Sequence, residues 1–202
     1  MKKDYKCYAL IALLSTVLII LSIYSRFDIK KEKTDSEKFK EEYSEVRSDN
    51  VFVYKDIDEI IKIMENGTGV VYLGFPECPW CQAYVKYLDE VASEVGIESI
   101  YYYNILEDRK NNTEGYQRLV EILGDYLQYD MEGNKRIYVP NVSFHIAGEI
   151  IGVDYETSLD THDLSDPSEY WTDEEVENLK NTLTELMTKV YIKQTSCTEC
   201  NK

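Results

Sequence analysis

Cysteine is scarce in this chain, with five among 202 residues. That is too few for a fold stapled by disulfides, so a hydrophobic core must hold the domain together. There are two histidines in all. No second Cys-x-x-Cys or histidine pair stands at finger-like spacing to complete the four ligands of a structural zinc, so no metal site is expected. Positive charge is scarce beyond residue 48. Residues 49–202 carry 12 basic and 30 acidic residues, whereas residues 1–48 carry 10 and 8. An acidic domain repels nucleic-acid phosphates and anionic lipid surfaces, so neither is an expected partner of the domain itself. The acid reads as solubility. Internal repeats and low-complexity segments are lacking. Hydrophobic content of 44% and charged content of 30% are ordinary for a globular protein and exclude disorder throughout. The length suits one domain with appendages.

What is present centres on Gly74-Phe75-Pro76-Glu77-Cys78-Pro79-Trp80-Cys81. The apolar run Val70-Val71-Tyr72-Leu73 leads in as a buried strand. Tyr84, Tyr87, Leu88, Val91 and Val95 lead out on one helical face. A Cys-x-x-Cys at a strand-to-helix turn puts Cys78 at the helix N-terminus, where free N–H groups and the helix dipole favour a thiolate. Pro79 suits the first helical position, where no N–H is needed. The geometry points to redox chemistry rather than to a plain disulfide or half a zinc site.

Lys2, Lys3 and Lys6 precede a 17-residue uncharged run from Tyr8 to Tyr24. This is the short end of the roughly 17–25 residues that span a bilayer. Ile23-Tyr24-Ser25-Arg26 offers no small-residue cleavage site, so the run reads as an uncleaved membrane anchor. Cys7 precedes it and reads as an inert thiol at the membrane edge or a palmitoylation site. Basic residues flank both ends, so the positive-inside count does not decide orientation. A very short cytoplasmic stub (1–7) places the domain outside the cell. Residues 25–49, with seven basic and seven acidic residues between Arg26 and Arg47, read as a charged tether turning helical near Ser36, where Phe39, Tyr43 and Val46 are spaced four and three apart.

The folded domain is expected over 50–192, with a cysteine-containing tail at 193–202. Its elements follow in order. First comes a strand at 51–54, then a helix capped by Asp56 and closed by Asn66-Gly67, and the strand and helix around the Cys-x-x-Cys. Next are a strand at 100–105 and a helix marked by Tyr116, Leu119, Val120, Leu123 and Leu127. A hairpin turning at Ala147-Gly148 follows, and a last helix opened by the capping box Thr172-Asp173-Glu174-Glu175. Mixed strands with helices on both faces make an α/β sandwich.

In this order, Cys78-Pro79-Trp80-Cys81 after the second strand, Val139-Pro140 before the hairpin, and the hairpin with its terminal helix resemble the thioredoxin fold, a three-layer sandwich with a mixed central sheet. More narrowly, the Gly74–Cys81 run and Asp160-Thr161-His162-Asp163 resemble membrane-anchored bacteriocin transport accessory proteins of that superfamily. The resemblance implies that Cys78 is the exposed nucleophile and Cys81 the resolving thiol. It also implies that Pro140 is a cis-proline facing them, and that Val139 offers its backbone to an extended client, with Pro79 and Trp80 beside the site. Trp80 reads equally as a client contact or a cover. Two features depart from the family. Tyr72 stands where thioredoxins place a buried carboxylate, so proton transfer is slower or water-mediated. Pro-Trp fills the centre of the motif, so no histidine stabilises the thiolate by charge, and the neighbouring Glu77 is expected to raise the thiol pKa slightly, giving a reduction potential between those of a reductant and a strong oxidant.

The pair Cys197/Cys200 has four readings: a local disulfide, an electron relay to Cys78/Cys81, a soft-metal site, or an idle thiol pair. His145 reads as a packed strand residue. His162 with Asp160 and Asp163 reads as a solvated loop before a cation site. The expected function is membrane-tethered, extracytoplasmic thiol–disulfide exchange with protein or peptide thiols and disulfides, needing no cofactor. Its alternatives are a non-catalytic binding module and a cytosol-facing reductase.

Overall fold

The structure is a computed structural model that describes residues 4–26, 32–154 and 166–199. It divides into two units, Met1–Lys33 and Thr34–Lys202. The first holds one helix, α1 (Asp4–Arg26). Its described side chains run from Tyr8 to Ile19 and all are exposed. Among the described residues no helix is long and apolar enough to cross a membrane. The span expected over 8–24 is therefore described in part and not shown.

The second unit is an α/β sandwich around a five-stranded mixed sheet, compatible with the expected fold. The strands β1 (Phe52–Tyr54), β2 (Gly69–Gly74), β3 (Ile100–Asn104), β6 (Asn141–Ile146) and β7 (Glu149–Asp154) lie in the order β1-β3-β2-β6-β7. β1 and β2 run parallel to β3, while β6 is antiparallel to β2 and to β7. All six residues of β2 are buried, which demands cover on both faces. Two helix pairs supply it. Helix α4 (Pro79–Val95) packs on α8 (Asp173–Glu199), and α3 (Ile57–Asn66) packs on α6 (Glu114–Leu123). Asp56 caps α3 through a complete capping box with Glu59. Thr172 Oγ1 accepts from the Glu175 N–H at the start of α8. At Ala147-Gly148 both residues have positive φ, 51° and 82°, the backbone that a tight two-residue hairpin requires.

The tether expected over 25–49 is corrected from residue 34 onward. Thr34 opens α2 (Asp35–Glu42) with a capping box, and Phe39, Tyr43 and Val46 are buried. The Phe39 ring stacks on Phe52 at 3.8 Å and on Tyr43 at 4.5 Å, and meets Tyr102 edge-on at 5.0 Å. Arg47 then locks the segment to α4. Its backbone N–H donates to Asp89 at 2.8 Å and its guanidinium to the same carboxylate at 3.1 and 3.2 Å. Asp89 is 1% exposed, so the arginine offsets a charge that burial alone would make costly. Apolar contact outweighed the even charge balance that made the segment look like a spacer.

Two smaller differences concern the ends. A short hairpin, β4 (Gln128–Tyr129) with β5 (Lys135–Arg136), forms around Gly133. The last helix continues to Glu199 rather than ending near 192. Leu179, Leu183, Met187 and Val190 form its fully buried stripe. His145 is a packed strand residue. Its ring nitrogens meet the Met64 carbonyl at 3.1 Å and Ser143 Oγ at 2.8 Å, and burial lowers its pKa to about 4.

Phe39→Ala should destabilise the chain by about 3–5 kcal/mol, because it empties the centre of a stack of buried rings. Urea unfolding of the full chain measures this. A loss under about 1 kcal/mol would mean that α2 is a dispensable appendage.

Candidate functional site

The site forms where β2 gives way to α4. The Cys78 N–H donates to the Phe75 carbonyl at 3.2 Å, closing the turn, and the Cys78 carbonyl accepts from the Gln82 N–H at 3.0 Å, opening the helix. Cys78 is the N-cap, with extended backbone angles, and Pro79 follows inside the first turn. The Gln82 amide ties the turn down by donating to the Pro76 and Glu42 carbonyls, both at 2.8 Å. The end of α2 is thus fastened to the Cys-x-x-Cys turn.

Cys78 and Cys81 are both free thiols. Cys78 is buried, with 9% exposure, rather than the exposed thiol the resemblance implied, because the turn and the Val139 loop close around it; Cys81 has no exposure. A helical turn separates an N-cap side chain at the rim from one that points inward, which accounts for the asymmetry. Their acidities diverge. The Cys78 thiol is lowered to about 6, first by the hydrogen bond from Cys81. The backbone N–H groups of Cys81 and Trp80 and the Arg109 guanidinium add to this, while burial opposes it. The Cys81 thiol is pushed well up, chiefly by burial and then by Cys78 itself. Glu77, expected to raise the Cys78 pKa, is exposed and is not among the largest causes. Trp80 supplies its backbone N–H to Cys78, where a histidine ring was missed.

The loop before β6 supplies the second wall. The Val139–Pro140 bond is cis, the isomer the resemblance implied. The Cys78 thiol faces the Val139 carbonyl at 3.9 Å. Val139 is 9% exposed, and Pro140 is buried. The sheet register explains the meeting: Leu73 pairs with Asn141 across β2 and β6, so the residues beyond each strand end emerge side by side.

Pro79 is exposed and Trp80 is half-buried. The Trp80 ring meets Tyr170 edge-on at 5.7 Å, and Tyr170 in turn meets Trp171 at 4.9 Å. Part of the Trp80 surface is therefore committed to the chain's own α7 (Pro167–Tyr170). A groove lined by Pro76, Pro79, Lys86, Tyr87 and Trp171 runs beside the turn, and neither sulfur lines it. Tyr72 is fully buried, and its hydroxyl has no hydrogen-bond partner among the described residues. Its phenol draws the Cys81 pKa partly back down. A Cβ on Gly74 would stand 2.4 Å from that hydroxyl, so glycine is what lets the tyrosine lie beneath the turn.

Sequence reasoning missed Arg109. It sits on α5 (Leu106–Asn111), which begins where the Ile105 N–H donates to the Gly74 carbonyl at 3.4 Å. Its guanidinium lies 4.8 Å over the Phe75 ring and donates to the Ile137 carbonyl at 3.4 Å. In sequence it is one charge in the polar run 107–112. Only the pairing of β2 with β3 brings it to the turn. Asp160, His162, Asp163 and Cys200 lie outside the described residues, as does the side chain of Cys197. No group of three or more metal-ligating side chains occurs among the described residues.

No protein-family model matches the chain, and a search of the curated proteins finds no relative.

The two thiols should part in a pH titration of alkylation by iodoacetamide. Cys78 should react half-maximally near pH 6 and Cys81 only in strong alkali. Above pH 6 Cys78 is the thiolate, so its rate should rise through that point and then level off. Mass spectrometry of tryptic peptides reads both sites. Equal titration of the two, near the ordinary thiol range, would contradict the asymmetry.

Proposed function

We propose that this chain is a thiol–disulfide oxidoreductase of thioredoxin-like fold, held at the outer face of a membrane by residues 8–24 and acting on protein or peptide disulfides. One observation carries the reading. A rim thiol with a pKa lowered to about 6 stands beside an inner thiol raised well above its ordinary value, at the start of one helix.

The chemistry follows from that pair. The Cys78 thiolate attacks one sulfur of a client disulfide. A Cys78–client disulfide forms, and the other client sulfur leaves as a thiolate. Cys81 then loses its proton to solvent and attacks the Cys78 sulfur. The second client sulfur departs, and a Cys78–Cys81 disulfide remains. The client gains two electrons and the enzyme loses two; run backwards, the same steps oxidise a dithiol client. A low pKa keeps Cys78 both a ready attacker and a good leaving group, and a high one delays Cys81 until its target sulfur is adjacent. The Val139 backbone beside Cys78 suits a client strand added along the loop.

The anchor is supported by the 17-residue uncharged run at 8–24. Leu10, Ile11, Leu13, Leu14, Val17, Leu18 and Ile19 all face outward on α1. Ser15 and Thr16 donate to the carbonyls of Ala12 and Leu13 at 2.8 Å, which leaves their hydroxyls satisfied without water. The narrower reading, an accessory to bacteriocin transport, rests on the Gly74–Cys81 run and on Asp160-Thr161-His162-Asp163, which lies outside the described residues.

The full chain in detergent should reduce insulin with dithiothreitol as electron donor, or oxidise a reduced peptide. Cys78→Ser should lose either activity by about a hundredfold or more. Cys81→Ser should accumulate mixed disulfides on Cys78. No turnover in either direction, with no trapped partner, would favour a non-catalytic binding module.

A further inference from the structure

Arg109 is held in an unusual way for a domain so rich in acid. Residues 49–202 contain 30 carboxylate side chains, yet after burial the largest influences on Arg109 among the described residues are Arg136, Tyr116, Cys78 and Cys81. None of these is a carboxylate. Its visible partners are the face of Phe75 and the Ile137 carbonyl, at 4.8 and 3.4 Å. Arg136 directly precedes Ile137 and is half-buried, its guanidinium 5.8 Å over the Tyr138 ring. Two half-buried cations are thus brought to the segment that leads into Val139, and one of them, Arg109, also acts on the Cys78 sulfur. The Asp130 carboxylate acts on Arg136 but not among the chief influences on Arg109.

Among the largest influences on Arg109 the Cys78 thiolate is the anion that the turn supplies, and it vanishes when Cys78 enters a disulfide. At the mixed-disulfide stage the half-buried guanidinium loses that counter-charge. Burying a cation unpaired is costly, and its forked donors match a carboxylate. The Tyr116 hydroxyl accepts from the Ile137 N–H at 3.1 Å, so the segment under the two arginines is fixed in place.

We propose that Arg109, aided by Arg136, receives a carboxylate from the client chain next to the reacting disulfide, so that clients with an acidic residue there react faster than neutral ones. This rests on the thiol–disulfide reading above and adds the class of client. Arg109 is here a specificity residue that meets the client across the same loop that carries Val139.

The test uses the full chain and two disulfide-linked peptides of equal length, with Glu or Gln flanking the cysteines. At low salt the wild-type chain should react about two- to fivefold faster with the Glu peptide, and added salt should shrink the difference. Arg109→Gln should erase the preference, Arg109→Lys should keep part of it because charge survives without the planar fork, and Arg136→Gln should reduce it. Arg136→Gln also stands in should Arg109→Gln fail to fold, as near-ultraviolet dichroism of Trp80 and Trp171 would reveal. Equal rates for the two peptides with the wild-type chain, or a preference that survives in Arg109→Gln, would overturn the proposal while leaving exchange chemistry intact. No reaction with either peptide would instead overturn the exchange reading, and this one with it.

Discussion

Burial of β2 on both faces is the constraint from which the site follows. The strand is flanked by β3 and β6 and roofed on each side by a helix pair, so its backbone is paired on both edges and all six of its residues are enclosed. Such a strand can end only at the carboxyl edge of the sheet, and there it must turn sharply to return as α4. Cys78 falls on that turn. The same edge receives the start of α5 from β3 and the loop into β6, because both strands are registered against β2. Arg109, the Cys78 turn and Val139 therefore meet although they are distant in sequence.

What the turn does electrically is to separate two identical side chains. Cys78 gains backbone N–H groups, a neighbouring thiol and a guanidinium, all of which favour its anion. Cys81, three residues on, is enclosed against Tyr72 and the aromatic layer, where an anion is disfavoured. On Cys78 hydrogen bonding outweighs desolvation, whereas on Cys81 desolvation and the bond with Cys78 act together and outweigh the lowering by Tyr72 and Phe75. The aromatic layer is also structural. Phe39 of α2 joins Phe52, Tyr102 and Tyr72 into one packed group. The Gln82 bonds to Pro76 and Glu42 carry that order to the turn itself.

Much of this was legible in the sequence because periodicity and punctuation agreed. The run 70–73, Pro79 after Cys78, Asn66-Gly67 at the close of α3 and the Ala147-Gly148 turn each signalled their element by a local mechanism. The approach of Val139-Pro140 to the cysteines came from resemblance, since nothing near residue 139 marks it as a neighbour of residue 78. Two things were hidden. The α2 segment carries Phe39, Tyr43 and Val46 at helical spacing, but among charges of both signs these looked too sparse to hold a helix in the core; stacking on Phe52 and the Arg47–Asp89 pair supply what local propensity lacks. Arg109 was hidden more deeply, because a lone arginine in a polar run gains meaning only once the sheet order places α5 beside the turn.

The most direct measurement is a redox titration of the full chain in thiol–disulfide buffers, with free Cys78 and Cys81 counted by alkylation and mass spectrometry at each potential. The account predicts that the two thiols disappear together in one reversible two-electron transition, forming an internal disulfide that either single Cys→Ser variant abolishes. Two thiols that stay free at every potential, or that are lost independently, would contradict it.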